Sequence, residues 1–142
     1  MSAKRLFVLM AGALGMVFAA TAADEAKHGL ELGKQEYMAK CASCHGDTGK
    51  GNGDFTRLIT TSPPDLTTYA QRNGGYFPKD QAWMTIDGRT LDDHVQRYRG
   101  MPVWGQNFRD EALTTPAYHA PESYAAERIG ALVDYLATIQ VE

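Results

Sequence analysis

Cysteine is scarce in this chain of 142 residues: there are two, Cys41 and Cys44. A structural zinc site wants four ligands, and no second cysteine pair exists to complete one. Basic residues are also few. Fourteen Lys and Arg stand against 17 Asp and Glu, and no basic stripe with interleaved aromatics occurs, which argues against nucleic-acid binding. Beyond residue 23 no segment is long and apolar enough to cross a membrane. Neither an internal repeat nor a low-complexity tract is present.

The N-terminus is different in kind. Lys4 and Arg5 supply a positive start, Leu6 to Ala20 is uncharged and apolar, and Ala20-Thr21-Ala22 is a small-x-small cleavage site. This pattern predicts a secretory signal peptide over residues 1–22 and a single domain over 23–142. Cleavage after Ala22 or Ala23 leaves 120 or 119 residues. The competing reading is an uncleaved anchor, since Leu6 to Ala23 gives 18 uncharged residues, but its end is rich in Ala and Thr rather than Leu. No Cys lies near the cleavage site, so a lipid-anchored N-terminal Cys is not expected. Loss of Lys4 and Arg5 takes the formal charge from −3 to −5. Export in a cell with a periplasm predicts a periplasmic protein.

The two cysteines fall in Cys41-Ala-Ser-Cys44-His45. A Cys-x-x-Cys-His run is the attachment signature of a c-type haem. On a helical turn, residues three apart share a face, so both sulfurs can reach the two vinyl groups along one porphyrin edge and add to them as thioethers. His45, one turn on from Cys41, can rise beneath the iron as the proximal axial ligand. A redox dithiol would expect a βαβ pattern around the pair, and none is visible. A plain disulfide is the remaining bland reading. With both cysteines used by haem, no structural disulfide is left.

The flanking residues predict helices. Leu30, Gly33 and Tyr37 share one face of a first helix, Leu30 to Lys40, that runs into Cys41. A glycine inside a helix costs about 1 kcal/mol against Ala, so Gly33 predicts close approach of another helix. The Gly-rich run His45 to Gly53 lacks Gly-Lys-Ser/Thr and follows no strand, so it reads as backbone packed against a flat ring rather than as a phosphate loop. Ser62-Pro63-Pro64-Asp65-Leu66 is a stiff turn into a second short helix, with Pro64 in its first turn and Asn73-Gly74-Gly75 as its stop. Asp80 is placed to cap a third helix, Gln81 to Asp87, with Gly88 past its end. Thr90 and Asp93 resemble a capping box for a fourth, Leu91 to Tyr98. Residues 106–121 read as a long polar loop. Ser123 is placed to cap the last helix, Tyr124 to Gln140. Its Ile129, Leu132, Val133 and Leu136 give the strongest amphipathic stripe in the chain, and Tyr135 is the candidate to cover Gly33.

Met101 stands in Arg99-Gly100-Met101-Pro102-Val103-Trp104-Gly105, an irregular segment stiffened by Pro102. A thioether there is poorly placed for helical packing and well suited to a soft, neutral iron ligand that favours Fe(II). Met101 is therefore the expected distal ligand. Met84, inside a predicted helix, reads as core packing, and His94 and His119 are the rivals that would give bis-His ligation.

The ordered set Gly33-x-x-x-Tyr37, Cys41-Ala-Ser-Cys44-His45, Pro63-Pro64-Asp65-Leu66, Ile86-Asp87-Gly88-Arg89, Met101-Pro102-Val103-Trp104-Gly105 and Leu132-Val133-Asp134-Tyr135-Leu136 resembles a class I bacterial monohaem cytochrome c, over about residues 30 to 140. The resemblance implies an all-α cytochrome c fold with crossed N- and C-terminal helices, one haem c on Cys41 and Cys44, and His45/Met101 ligation. It implies a Pro carbonyl, of Pro63 or Pro64, accepting from the proximal His. It makes Trp83, Arg89 and Trp104 candidate haem-wall or propionate neighbours. The 106–121 loop departs from the family's pattern and offers a cover for the haem or a partner surface. With both axial positions filled, the expected function is one-electron transfer and not enzymatic chemistry. The expected partners are redox proteins meeting a monomer, with transient membrane-complex contact allowed. An electron-transfer subunit of a dehydrogenase or terminal oxidase complex is the alternative, and a haem sensor or enzyme with a labile distal site the third reading.

Overall fold

The structure is a computed structural model and describes residues 23–89, 100–115 and 120–141. The signal peptide expected over 1–22, the helix expected at 91–98, His94 and His119 lie outside the described residues. Among the described residues all regular structure is helical and no strand occurs. Helix α1 covers residues 23–36 and passes into a π-helical turn, Tyr37–Cys41, and then a single turn α2, Ala42–His45. Short 3₁₀ turns follow at Asp54–Leu58 and Leu66–Thr68. Then come α3 (Tyr69–Arg72), α4 (Lys79–Asp87), α5 (Trp104–Thr114) and α6 (Pro121–Thr138). None of these helices is long and apolar enough to cross a membrane.

The core is the junction of α1, α5 and α6. Tyr37, Phe108, Ile129 and Leu132 are each 1% exposed or less. Each such side chain contributes roughly 1.5–3 kcal/mol by burial. The predicted crossing is present. A Cβ on Gly33 would run into the Ala131 carbonyl and stand 2.9 Å from Tyr135 Cβ, so only glycine lets α1 and α6 touch at this point. Tyr37 and Tyr135 pack beside it with ring centroids 5.4 Å apart. Leu30, expected on that face, is instead exposed.

Charge also crosses this junction. Glu36 is buried, and accepts from Arg128 on α6 and Lys40, both at 2.8 Å. Lys40 reaches Glu111 on α5 at 3.3 Å, and Glu111 accepts from the Tyr124 hydroxyl at 2.7 Å. Lys40 also lies over the Phe108 ring, 5.3 Å from its centroid.

Several boundaries move. The 106–121 loop is helical to Thr114: Gly105, Phe108 and Ala112 are its buried residues, spaced three and four apart, and they form an apolar stripe that packs α5 on α6. Asp65, not Pro64, opens the second helical segment, as its carboxylate accepts from the Thr67 N–H. Helix α4 starts at Lys79 after Pro78, which puts Asp80 in its first turn, while Gly88 ends it in the left-handed region as expected. Helix α6 starts at Pro121, with Pro at its first position, and ends at Thr138, so Ser123 does not cap it. Met84 is not core packing: it is 48% exposed on α4.

Candidate functional site

Cys41 closes the π-helical turn and serves as N-cap of α2, whose last residues are Cys44 and His45. The Ala42 N–H donates to the Tyr37 carbonyl five residues back, the wide-turn bond of a π-helix. The chain ends α2 at Gly46, with φ 79° and ψ 155°, a conformation open essentially to glycine alone. The loop that follows is tied to the motif by its backbone. Gly51 N–H donates to the His45 carbonyl at 2.8 Å and Gly53 N–H to the Cys44 carbonyl at 3.1 Å. A Cβ on Gly51 would meet the Pro63 carbonyl, and one on Gly53 the Ala42 and Ser43 backbone. The glycines thus let the loop fold tightly against α2 and the Pro63–Pro64 segment. Tyr37 completes the anchorage, since its buried hydroxyl donates to the Gly46 carbonyl at 2.6 Å. Burial raises the Tyr37 pKa, which keeps the phenol protonated as that donor. The far end of the chain holds the same region: Gln140 donates to the Leu66 carbonyl at 3.0 Å, and Val141 N–H to the Thr67 carbonyl at 2.8 Å.

The side chains of the motif have distinct environments. Cys41 and Cys44 are both free thiols, half-buried. Burial, helped by the nearby Glu36 carboxylate, pushes the Cys41 thiol up to about 12. A redox-active dithiol needs the opposite, a lowered pKa. Burial likewise lowers the proton affinity of His45, against a smaller opposing pull from the Pro64 carbonyl, so the ring is neutral at neutral pH. That carbonyl acts on the ring without meeting hydrogen-bond geometry, and Nδ1 remains buried without a full partner.

Met101 is half-buried and packs against the apolar core, between Gly100 at φ 67° and Pro102. It stands just before α5, where Trp104 and Phe108 have ring centroids 6.0 Å apart. The other candidates are placed elsewhere. Trp83 faces Gly130 on α6 at 3.3 Å from where a Cβ would stand, in a surface cleft with Lys79 and Asp134. Arg89 is engaged by Asp87 at 2.6 Å and Glu122 at 2.8 Å, so two carboxylates already hold its guanidinium.

Among the described residues no three His, Cys, Asp or Glu side chains converge on a point that would suit a single ion. Two unbonded thiols at Cys-x-x-Cys spacing are what thioether attachment consumes. A neutral imidazole is the form of histidine that binds a metal, and His45 is held in that form by burial. The residues fit a covalently held haem.

The family model for cytochrome c matches residues 30–140. The chain belongs to the cytochrome c family. No curated protein and no solved structure matches it. The all-helical architecture with α1 crossing α6 is the cytochrome c fold. Family membership implies covalently bound haem c and electron transfer, and the Cys41–His45 run fits the attachment motif. What sequence reasoning missed in this cytochrome is mostly ionic: the Glu36–Arg128 pair and the Asp87–Arg89 pair. Nothing in local spacing links Glu36 to Arg128, 92 residues on, and Asp87 meets Arg89 only because the left-handed Gly88 turns the chain between them.

Proposed function

We propose that this cytochrome is a periplasmic one-electron carrier: a signal peptide over 1–22, then one domain over 23–142 carrying a single haem c on Cys41 and Cys44. His45 is the proximal ligand and Met101 the distal one. The reading is supported by the Cys41–His45 attachment motif within the cytochrome c match, with a half-buried Met101 thioether next to Pro102 as the candidate second ligand. Haem in such a setting supplies an Fe(III)/Fe(II) couple. The chain's own part would be to hold the iron through His45 and Met101, to keep water from those ligand atoms by packing, and to move little between oxidation states. His45 and Met101 leave no place for a substrate, so enzymatic chemistry at the metal is not proposed. The carrier is a monomer that meets redox partner proteins transiently, membrane complexes included.

The alternative, a resident electron-transfer subunit of a dehydrogenase or oxidase complex, drew on a long 106–121 loop as its partner surface. That stretch is helical over Trp104–Thr114 and commits Phe108 and Ala112 to the core, while Gln106, Asn107, Asp110 and Leu113 remain exposed on its outer face. The test is a pair of variants. Met101→Ala should lose the far-red sulfur–ferric band, gain CO binding and fall in potential. Met84→Ala, at an exposed position, should keep all three and lose less than about 1 kcal/mol of stability. An unchanged band in Met101→Ala refutes the ligand assignment.

A further inference from the structure

On the N-terminal side of Met101, Gly100 is exposed, with nothing within 4 Å of where a Cβ would stand. On its C-terminal side Pro102 fixes one torsion, and two residues later α5 begins at Trp104 with no side-chain cap. The first turn of α5 is nevertheless pinned. Gly105 is buried, and a Cβ on it would run into the Asp87 carboxylate and stand 2.6 Å from Arg89 Nε. The ion pair therefore lies directly on the Gly105 backbone. Asp87 is buried, 10% exposed in its side chain, and accepts from Arg89 Nε at 2.6 Å. Gly88, left-handed at φ 72°, turns the chain so that residues two apart can pair. Arg89 also donates to Glu122 at 2.8 Å on the first turn of α6, and Glu122 pairs with Arg109 of α5 at 2.6 Å. A negative charge at the N-terminal turn of a helix is favourable as well.

We propose that the Asp87–Arg89 pair, seated on Gly105, is a lock that positions the Met101 segment. Asp87 and Arg89 are positioning residues, acting through the backbone of residues 101–105. This rests on Met101 being the distal ligand. The lock sets how often the thioether leaves its place, because a shift of α5 away from α4 would uncover the buried Asp87 carboxylate packed on Gly105 and strain the Arg89–Glu122–Arg109 chain that ties the end of α4 to α5. Only glycine at 105 allows the pair to sit there.

The test uses the full-length, haem-loaded protein. Cyanide binding to the ferric form requires the distal ligand to leave, so its rate reads the open population. Asp87→Asn and Arg89→Gln should each raise that rate on the order of tenfold, since the first removes the charge that makes the buried bond strong and the second removes the partner of the buried Asp87 carboxylate. Both should also speed amide hydrogen exchange in residues 100–105. Arg89→Lys, which keeps the charge but loses the fork, should fall between; it also serves if Arg89→Gln fails to accumulate. Val133→Ala, a core truncation on α6, is the control for a merely structural role. It should lower global stability while leaving the cyanide rate near wild type. If Asp87→Asn and Arg89→Lys show the wild-type rate and exchange, the lock is refuted while the ligand assignment stands. If Val133→Ala raises the rate as much as they do, the pair is only structural and the lock is again refuted. A wild-type protein without the far-red band overturns the ligand assignment, and the lock with it.

Discussion

The helix crossing makes a prediction of opposite sign at two glycines four residues apart. Gly29 and Gly33 both lie in α1. At Gly29 a Cβ would meet nothing within 4 Å. Gly29→Ala should therefore stabilise the protein by about 0.5–1 kcal/mol, the helix-propensity gain of Ala over Gly. At Gly33 the same gain is opposed by a collision with the Ala131 backbone, its carbonyl carbon 2.6 Å away, and with Tyr135 Cβ at 2.9 Å. None of these atoms is the free end of a flexible side chain, so α1 and α6 must part. Overpacking of this kind costs about 1–3 kcal/mol and more when backbone must move. With the collision at the upper end of that range, Gly33→Ala should lose about 2 kcal/mol net. At roughly 4 °C per kcal/mol for a domain of this size, the midpoint falls by about 8 °C. Far-UV circular dichroism during guanidinium and thermal unfolding of the two haem-loaded variants measures both changes. Two alanines that shift stability in the same direction would refute the crossing.

Two further outcomes concern the charges around it. Arg128→Ala removes one of two partners of the buried Glu36 carboxylate and should cost roughly 2 kcal/mol, less than the loss of an only partner because Lys40 remains; urea unfolding measures it. At Glu111 burial opposes ionisation, but donation from the Tyr124 hydroxyl and the nearby Lys40 outweigh it, so the carboxyl lies below its ordinary value. Because the folded pKa is depressed, its stabilising contribution is complete above the unfolded pKa and is lost as pH falls through the folded one. Tyr124→Phe should therefore cost stability at pH 7 and progressively less below about pH 4. A penalty that stays constant down to pH 3 in acid unfolding curves would show that the bond does not favour the charged form.

Where the sequence was legible, it was because one residue type had one use. Gly33 has no reason to sit inside a helix except to admit a neighbour, and Ala131 and Tyr135 are there. The stripe Ile129, Leu132, Val133, Leu136 repeats at helical period and is buried throughout. Cys41, Cys44 and His45 are legible as a motif because no other arrangement in the chain uses cysteine. Helix α5 was not legible. Its apolar stripe is three residues, one of them Gly105, set among Gln106, Asn107, Arg109 and Asp110, and Val103 gives no capping signal. It is helical because Phe108 and Ala112 have α6 to bury against, which is a tertiary cause. The π-helical turn Tyr37–Cys41 left no trace in composition, and neither did the bond from its Tyr37 hydroxyl to the Gly46 carbonyl nine residues on. Met84 was misread because helical position was taken for burial, and that face of α4 has no described helix against it.

The account stands most directly on whether His45 and Met101 close the coordination of a haem held by Cys41 and Cys44. That is read from the wild-type protein by its ferric spectrum and by CO titration of its ferrous form. The expected result is a weak far-red sulfur–ferric band and no ready CO binding at neutral pH, because no coordination position is free. A five-coordinate, CO-avid protein without that band would contradict the electron-carrier reading and turn attention to a sensor or an enzyme.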